Sequence, residues 1–296
     1  MTTLIASRTT PESALRAIDE QGSRLGRNRP VLLAKLGFAA LLLGSAPALA
    51  QVAPNLGTAG GYAVLGTNAI PVIGTVTCTN TGPGANINGN VGSTFNAITN
   101  TLCTITGSID APVAAGVVAD FNAAYAAIDA ANPVCDGVIP IVSTVLPPGV
   151  YCSNAGTTMG AGVIITLNGN ASDVWIFRVG TGGTGALTLN SAQIVMGGTA
   201  SACNVYWNTA EEVALTDSSF LGYVLAGTAA TITRGDWVGG MFATTDATVT
   251  DATVTGCAAL PAAGATGIPT LSEWAKILLA GLLAIAAFAA MRRRAR

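Results

Sequence analysis

The sequence predicts a mainly β fold, a β-solenoid (β-helix) with one long helix packed alongside, and three observations predict it. Short β-type runs recur at a fixed step in the final third, one Ala-rich segment alone breaks the β pattern, and charge is scarce. Of the 296 residues half are hydrophobic, yet only 9% are charged, far below the roughly 25% of ordinary soluble domains. A chain so poor in charge is either largely membrane-embedded or presents neutral Thr, Ser, Asn and Gly to water. The longest apolar runs lie at the two ends, so the second explanation applies to the middle.

The repeat comes first. Asn204-Val-Tyr-Trp207, Gly222-Tyr-Val-Leu225 and Gly240-Met-Phe-Ala243 recur at 18-residue steps. Between them sit Val213-Ala-Leu-Thr216, Thr231-Ile-Thr233 and Thr248-Val-Thr250, 17 to 18 residues apart. Each repeat thus holds two or more short strands divided by Gly, Asp, Ser or Asn turns. A unit of that size cannot bury its own inner side chains and must stack on a neighbour, which is the logic of a solenoid. Related runs lie upstream, at Gly162-Val-Ile-Ile-Thr-Leu-Asn168, Asp173-Val-Trp-Ile-Phe177 and Ala186-Leu-Thr-Leu-Asn190. A β-sandwich also spaces strands by 8–12 residues, but the common register of the aromatic and aliphatic runs favours the solenoid.

The helix is expected over residues 111–132. Val117, Phe121, Ala124, Tyr125 and Ile128 fall on one helical face. Asp110 is the expected N-cap, Pro112 fits the first turn, and Asn132-Pro133 ends the segment. At about six turns it would cover one flank of the solenoid.

The two ends read as export signals. Residues 1–30 carry Arg8, Arg16, Arg24, Arg27 and Arg29, residues 31–44 are apolar apart from Lys35, and Ala48-Leu49-Ala50 offers a small-residue cleavage site. That order is the pattern of a secretory signal peptide over residues 1–50, and its apolar run is too short to span a bilayer. At the other end, after a linker at 261–267, come Ile268, Pro269, Thr270, Leu271, Ser272, Glu273 and Trp274, an apolar stretch over 277–291, and Arg292-Arg293-Arg294-Ala295-Arg296. Trp274 suits a membrane interface and the arginines hold their end in the cytoplasm, so a transmembrane helix is expected within 268–296. The segment also resembles the IPTL-type variant of the exosortase sorting signals of Gram-negative bacteria. That resemblance implies recognition by a membrane transpeptidase-like enzyme and removal of the tail, and makes the export and sorting machinery a partner.

Setting the ends aside changes the charge. Residues 51–267 hold two basic residues, Arg178 and Arg234, against eleven acidic ones, leaving a net charge of about −9. A nucleic-acid partner needs a basic stripe to neutralise phosphates, and this sequence has none. All six cysteines (Cys78, Cys103, Cys135, Cys152, Cys203 and Cys257) lie in the same stretch, and an even number in an oxidising compartment implies disulfides. Six cysteines allow fifteen connectivities; pairing of neighbours in sequence, 78–103, 135–152 and 203–257, is the expectation. With no Cys-x-x-Cys and no His, a zinc site is not expected, nor any other metal or cofactor.

Enzymatic chemistry finds little to work with. Without His, a Ser-His-Asp or Cys-His device is impossible. Glu211 and Glu212 are adjacent, so in a strand they would point to opposite sides, poor geometry for glycoside hydrolysis. Gly180-Thr-Gly-Gly-Thr-Gly185 lacks the Lys and the strand-to-helix setting of a phosphate loop and reads as a turn. No catalytic residue is assigned.

Several segments in order carry a family resemblance: Leu56-Gly-Thr-Ala-Gly-Gly-Tyr-Ala-Val-Leu-Gly66, Asn80-Thr-Gly-Pro, Ile87-Asn-Gly-Asn-Val-Gly92, the Ala-rich helix, Asp173-Val-Trp-Ile-Phe177 and Asn204-Val-Tyr-Trp207. Over roughly residues 55–256 the chain resembles the bacterial and fungal ice-binding protein family. The resemblance implies an irregular β-solenoid of triangular section with the helix alongside, here over 51–260, and an ice crystal surface as ligand. The six cysteines and Glu211-Glu212 depart from the family pattern.

A solid lattice is met by a flat, rigid, repeating array rather than by a pocket. Thr suits such an array, because β-branching stiffens χ1 while the hydroxyl bonds ordered water. If Ile232 and Val249 face the core, Thr231, Thr233, Thr248 and Thr250 face outward; likewise Leu187 and Leu189 inward expose Thr188, and Ile165 and Leu167 inward expose Thr166. Ala214 occupies the corresponding place in the next coil. Thr228-Ala-Ala-Thr231 and Thr245-Asp-Ala-Thr248 resemble the T-A/G-x-T pattern of some family members, so Thr228 and Thr245 join the candidate array, although Asp246 departs from it. Trp175, Trp207 and Trp237 are expected in the core. The alternative function is a non-enzymatic cell-surface adhesin or matrix protein that binds extracellular polysaccharide.

Overall fold

The computed structural model describes residues 51–259 except 68–73, 83 and 96. The expected signal peptide, linker and sorting segment therefore lie outside the described residues. Among the described residues no helix is long and apolar enough to cross a membrane.

Strands stack in parallel coils, and each full coil visits three faces. One face is a nine-stranded parallel sheet that ends with Ile109–Asp110 on one side and Gly137–Val138 on the other. The other two faces share a twelve-stranded sheet, because Val213–Leu221, Ala230–Val238 and Ala247–Thr255 each run through the corner between them. At that corner Asp217, Arg234 and Asp251 adopt left-handed backbone with φ near +50°, a conformation uncommon outside Gly, Asn and Asp. Arg234 donates to both Asp217 oxygens at 2.7 and 2.8 Å across the coil boundary. At the next corner Gly239 has φ +143°, and a Cβ there would collide with the Gly222 carbonyl oxygen, so only glycine fits.

Over the last coils the repeat is 17 residues, not the 18 read from the aromatic runs. Trp207 pairs with Val224 and Val224 with Met241, just as Val213 pairs with Ala230 and Ala230 with Ala247. The one-residue difference decides which side each residue faces. Trp207, Val224 and Met241 fill the solenoid interior, whereas Leu225 and Phe242 turn outward beneath the helix. Stacking order also departs from chain order. Coils from residue 137 to 255 follow one another, but Tyr62–Gly66, Val76–Thr79 and Asn86–Asn88 then pair with the last coil, at Met241–Ala243 and within Ala247–Thr255.

The interior is aliphatic and aromatic. Phe177 and Trp207 stack at 3.8 Å, and Phe220 joins Trp207 to Trp237 at 5.1 and 4.8 Å. All three core tryptophans are fully buried, and each indole N–H donates to a backbone carbonyl, Trp175 to Leu146, Trp207 to Leu221 and Trp237 to Gly222. A buried indole is stable there because its polar atom keeps a partner.

Helix α1 spans Ala115–Ala131, about five turns rather than six. It starts after Ala114, not at Asp110, and Pro112 precedes it. Asp110 ends a short strand instead and accepts a hydrogen bond from the Tyr62 hydroxyl at 2.7 Å. Burial and that carboxylate push the Tyr62 hydroxyl up to about 12. Asn132 closes the helix as expected: its backbone N–H and side-chain amide both donate to the Ile128 carbonyl. Val117, Phe121, Ala124 and Ile128 are buried against the outer side of the nine-stranded sheet. That sheet is therefore covered on both sides, and its strands are buried without alternation, as at Val205–Thr209 and Tyr223–Ala226.

Three disulfides join Cys78 to Cys103, Cys135 to Cys152 and Cys203 to Cys257, each to its neighbour in sequence. The first ties down the coil at one end of the solenoid, and the second the coil at the other.

Candidate functional site

Of the three faces, one is hidden by α1. The other two expose their outward residues, and the register of the parallel strands fixes which residues line up. Across the face built from the first halves of the long strands, Thr158 pairs with Thr188, Thr188 with Ala214, Ala214 with Thr231, Thr231 with Thr248, Thr248 with Thr77 and Thr77 with Thr99. Two residues further along each strand runs a second file: Asn190, Thr216, Thr233, Thr250, Thr79 and Thr101. Parallel strands set neighbours within a file about 4.8 Å apart, and the two files about 6.7 Å apart. The longer file crosses seven coils and so extends about 29 Å.

Alternation produces this face. Leu187, Leu189, Val213, Leu215, Ala230, Ile232, Ala247, Val249, Val76 and Cys78 point inward and are buried, and the residues between them are four threonines and Ala214. Their hydroxyls make no hydrogen bond to any described residue. Other threonines spend theirs internally: Thr75 donates to Asp246 at 2.6 Å, Thr81 to Asp251 at 2.6 Å and Thr58 to Asp120 at 2.6 Å. The two files thus offer water a neutral lattice of unpaired hydroxyls and methyls.

Charge is confined to the margins. On one side lie the exposed Glu211, Glu212 and Asp246, with a recess lined by Ala186, Glu211, Glu212 and Thr228. On the other side the corner holds Asp217, Arg234 and Asp251. The hydrogen-bonding Arg234 guanidinium keeps Asp217 below the usual carboxylate range, and hydrogen bonds from Thr81 do the same for Asp251.

The structure brings together six of the nine residues expected on the array: Thr188, Ala214, Thr231, Thr233, Thr248 and Thr250. Thr166 does face outward, between buried Ile165 and Leu167, but it belongs to the third face, paired with Val145 and Val195. The coil containing it supplies Thr158 to the threonine face instead. Thr228 and Thr245 lie in the turns before the strands, where the Thr245 N–H donates to the Thr228 carbonyl and the Thr228 N–H to Glu211. Thr77, Thr79, Thr99, Thr101, Thr158 and Thr216 were missed. Thr216 follows from the same alternation as Ala214, whereas the first four needed the non-sequential stacking.

The third face is mixed. One of its files runs Ile164, Gln193, Ser219, Asp236, Thr253, Asn86 and Thr104. No two neighbours in it share chemistry.

Comparison with known proteins agrees with this architecture. Residues 72–255 match the ice-binding-like family, and residues 266–294 match the IPTL-CTERM motif. An ice-binding protein of Flavobacterium frigoris (strain PS1) is 36% identical over 113 residues, 37% of this chain and 39% of that protein, so the match spans less than half of that relative. Ice-binding protein K1-A of Typhula ishikariensis is 28% identical over 224 residues, 66% of this chain and 85% of that protein. Among solved structures, the DUF3494 domain of Shewanella frigidimarina ice-binding protein_1 superposes with a TM-score of 0.56 at 25% identity, covering 70% of this chain and 98% of that one. With the family match covering well over half of its residues, the chain belongs to the ice-binding-like family.

Proposed function

We propose that this protein binds ice through the two threonine files and thereby restrains ice growth or recrystallisation. The observation that carries the reading is the uninterrupted register of the files, six or seven coils long, with hydroxyls unclaimed by any described residue. A surface that recognises a crystal must hold many weak contacts at a fixed repeat. The stacked backbone sets the repeat, β-branching holds each rotamer, and the disulfide-braced solenoid brings the array preorganised, so little ordering is left for adsorption. Water bound along the hydroxyls, with methyls between them, extends as an ordered layer that joins the lattice. Ala214 lowers the file locally without adding charge or bulk.

The mixed chemistry of the third face and the cover of α1 over the first leave the threonine face as the one suited to a lattice. We place export and surface sorting in the same proposal, supported by the leader-like residues 1–50 and by the motif match at 266–294. The tail would hold the protein at the membrane until a sorting enzyme releases or transfers it.

The test is direct. The purified protein should shape ice crystals and slow recrystallisation, and Thr231→Tyr or Thr248→Tyr should reduce both severalfold with an unchanged unfolding transition. A wild-type protein without effect on ice overturns the proposal.

A further inference from the structure

Among the described residues, most large apolar side chains that reach water gather at one end of the solenoid. Val138, Ile141, Val142, Val145 and Ile164 are between 42% and 80% exposed, and all five belong to the terminal coil or to the strand stacked on it. Gly137–Val138 ends the nine-stranded sheet and Thr144–Leu146 ends the twelve-stranded one. Ile141 and Val142 lie in the bend between these two strands. Ile164 opens the strand Ile164–Gly169, which pairs with Thr144–Leu146. On the third face Val145 continues in register through Thr166 to the half-buried Val195. The other side of Thr144–Leu146 has no strand beside it among the described residues.

From this arrangement we infer that the terminal coil is the contact surface of a two-fold dimer, its occupant a second copy of this chain. The open edge of Thr144–Leu146 carries backbone groups that seek a strand, which a lipid surface does not supply. A second copy supplies one, and a two-fold axis sets the two short strands antiparallel. Pro140 and Pro147 flank the strand and confine that ladder, so the pairing closes as a dimer and does not grow. Charge favours the copy as well. Residues 134–210 hold three charged side chains, and each has a partner: Asp136 accepts from the Val150 N–H, Asp173 from the Asn170 N–H, and Arg178 binds Asp129. Residues 211–255 hold six acids against Arg234, so two copies meeting there would repel. At the terminal coil they meet without repulsion. Five side chains this exposed present apolar surface on the scale of the largest patch of a monomer, ~300–600 Å². With a polar rim that approaches the ~600–800 Å² per partner of weak and standard interfaces. The Cys135–Cys152 bond and the pairing of Gly137–Val138 with Tyr151 and Cys152 hold the coil in place before contact, so little ordering is left for association. This surface is separate from the threonine files and stands independently of ice binding.

Sedimentation equilibrium of the purified protein tests the inference. The protein should pass from monomer to dimer with a Kd in the micromolar range and form no larger species. Val145→Lys sets like charges across the contact and should raise that Kd at least tenfold, with an unchanged unfolding transition. If that variant unfolds, Val142→Lys in the exposed bend takes its place with the same expectation. Leu102→Lys adds the same charge at the exposed opposite end and should leave the Kd unaltered. A protein that stays monomeric into the millimolar range overturns the proposal, whether or not it binds neutral lipid vesicles. So does a dimer that the terminal-coil lysine leaves intact, or one that Leu102→Lys breaks, the mark of a head-to-tail contact.

Discussion

A threonine hydroxyl on this molecule has one of two fates. Thr58, Thr75 and Thr81 bond carboxylates and serve the fold; the hydroxyls of Thr216, Thr231, Thr233, Thr248 and Thr250 bond no described residue. Their outward position was legible from the buried residues between them, because period-two alternation on a strand covered on one side is a strong signal. Which face they share was not legible for Thr166, since alternation tells inside from outside but not one exposed face from another. The pairing separates them, and a matched pair of variants checks it. Thr216→Tyr should lower ice shaping as much as Thr231→Tyr does, whereas Thr166→Tyr on the third face should leave it unchanged in the same assay.

Three hydrogen-bonded carboxylates give a pH expectation at the same scale. Asp120, Asp217 and Asp251 are all held below the ordinary value, by Thr58, Arg234 and Thr81 respectively. For a depressed carboxylate the contribution to stability is present above the unfolded value of about 3.9 and is lost as pH falls through the folded value. Melting temperature should therefore show no fall from these three groups between about pH 5 and 8, and should decline below about pH 4. Only Asp217 owes its shift chiefly to a charged partner, Arg234, so its share of the decline should shrink at high salt while the shares of Asp120 and Asp251, set by threonine hydrogen bonds, should change little.

At the scale of elements, the helix and the sheet beneath it show where sequence reading slips. The helical face was legible from Val117, Phe121, Ala124 and Ile128, all four of which are buried. Its start was not, because Asp110 is bound by Tyr62 and Pro112 sits outside the helix, so local cap preferences gave way to a tertiary contact. The sheet it covers is buried on both sides, so no alternation marks its register, and an 18-residue spacing of Trp207, Leu225 and Ala243 looked as regular as the true 17. The helix is also an energetic element. Phe121 is fully buried and packs edge-on to Phe242 at 6.4 Å. Phe121→Ala should cost about 3–5 kcal/mol, read as a lower denaturant midpoint, with ice shaping intact in the cold where the fold survives.

Across the whole molecule, a solenoid has only its neighbours to stabilise each coil, and this one adds covalent ties. Cys78–Cys103 and Cys135–Cys152 secure the two ends, while Cys203–Cys257 links residues 54 apart. A link of that length restricts the unfolded chain by about 4 kcal/mol on a chain-entropy estimate. Replacing both Cys203 and Cys257 by Ala should shift the unfolding midpoint by that order, while ice shaping persists below the lowered melting temperature.

The strands Tyr62–Gly66, Val76–Thr79 and Asn86–Asn88, which pair with Met241–Ala243 and within Ala247–Thr255, impose a timetable. Wherever the chain is delivered from its N-terminus, by a ribosome or through a pore, its first strands emerge some 170 residues before their partners. Contacts of such separation in sequence close late and slowly. Until then the strands of Thr77, Thr79, Thr99 and Thr101 have only each other to pair with, and their open edge must be kept from strangers. The portion of the array made first is thus the last to be assembled, and emergence of the coil ending at Thr255 sets the moment at which the surface becomes whole.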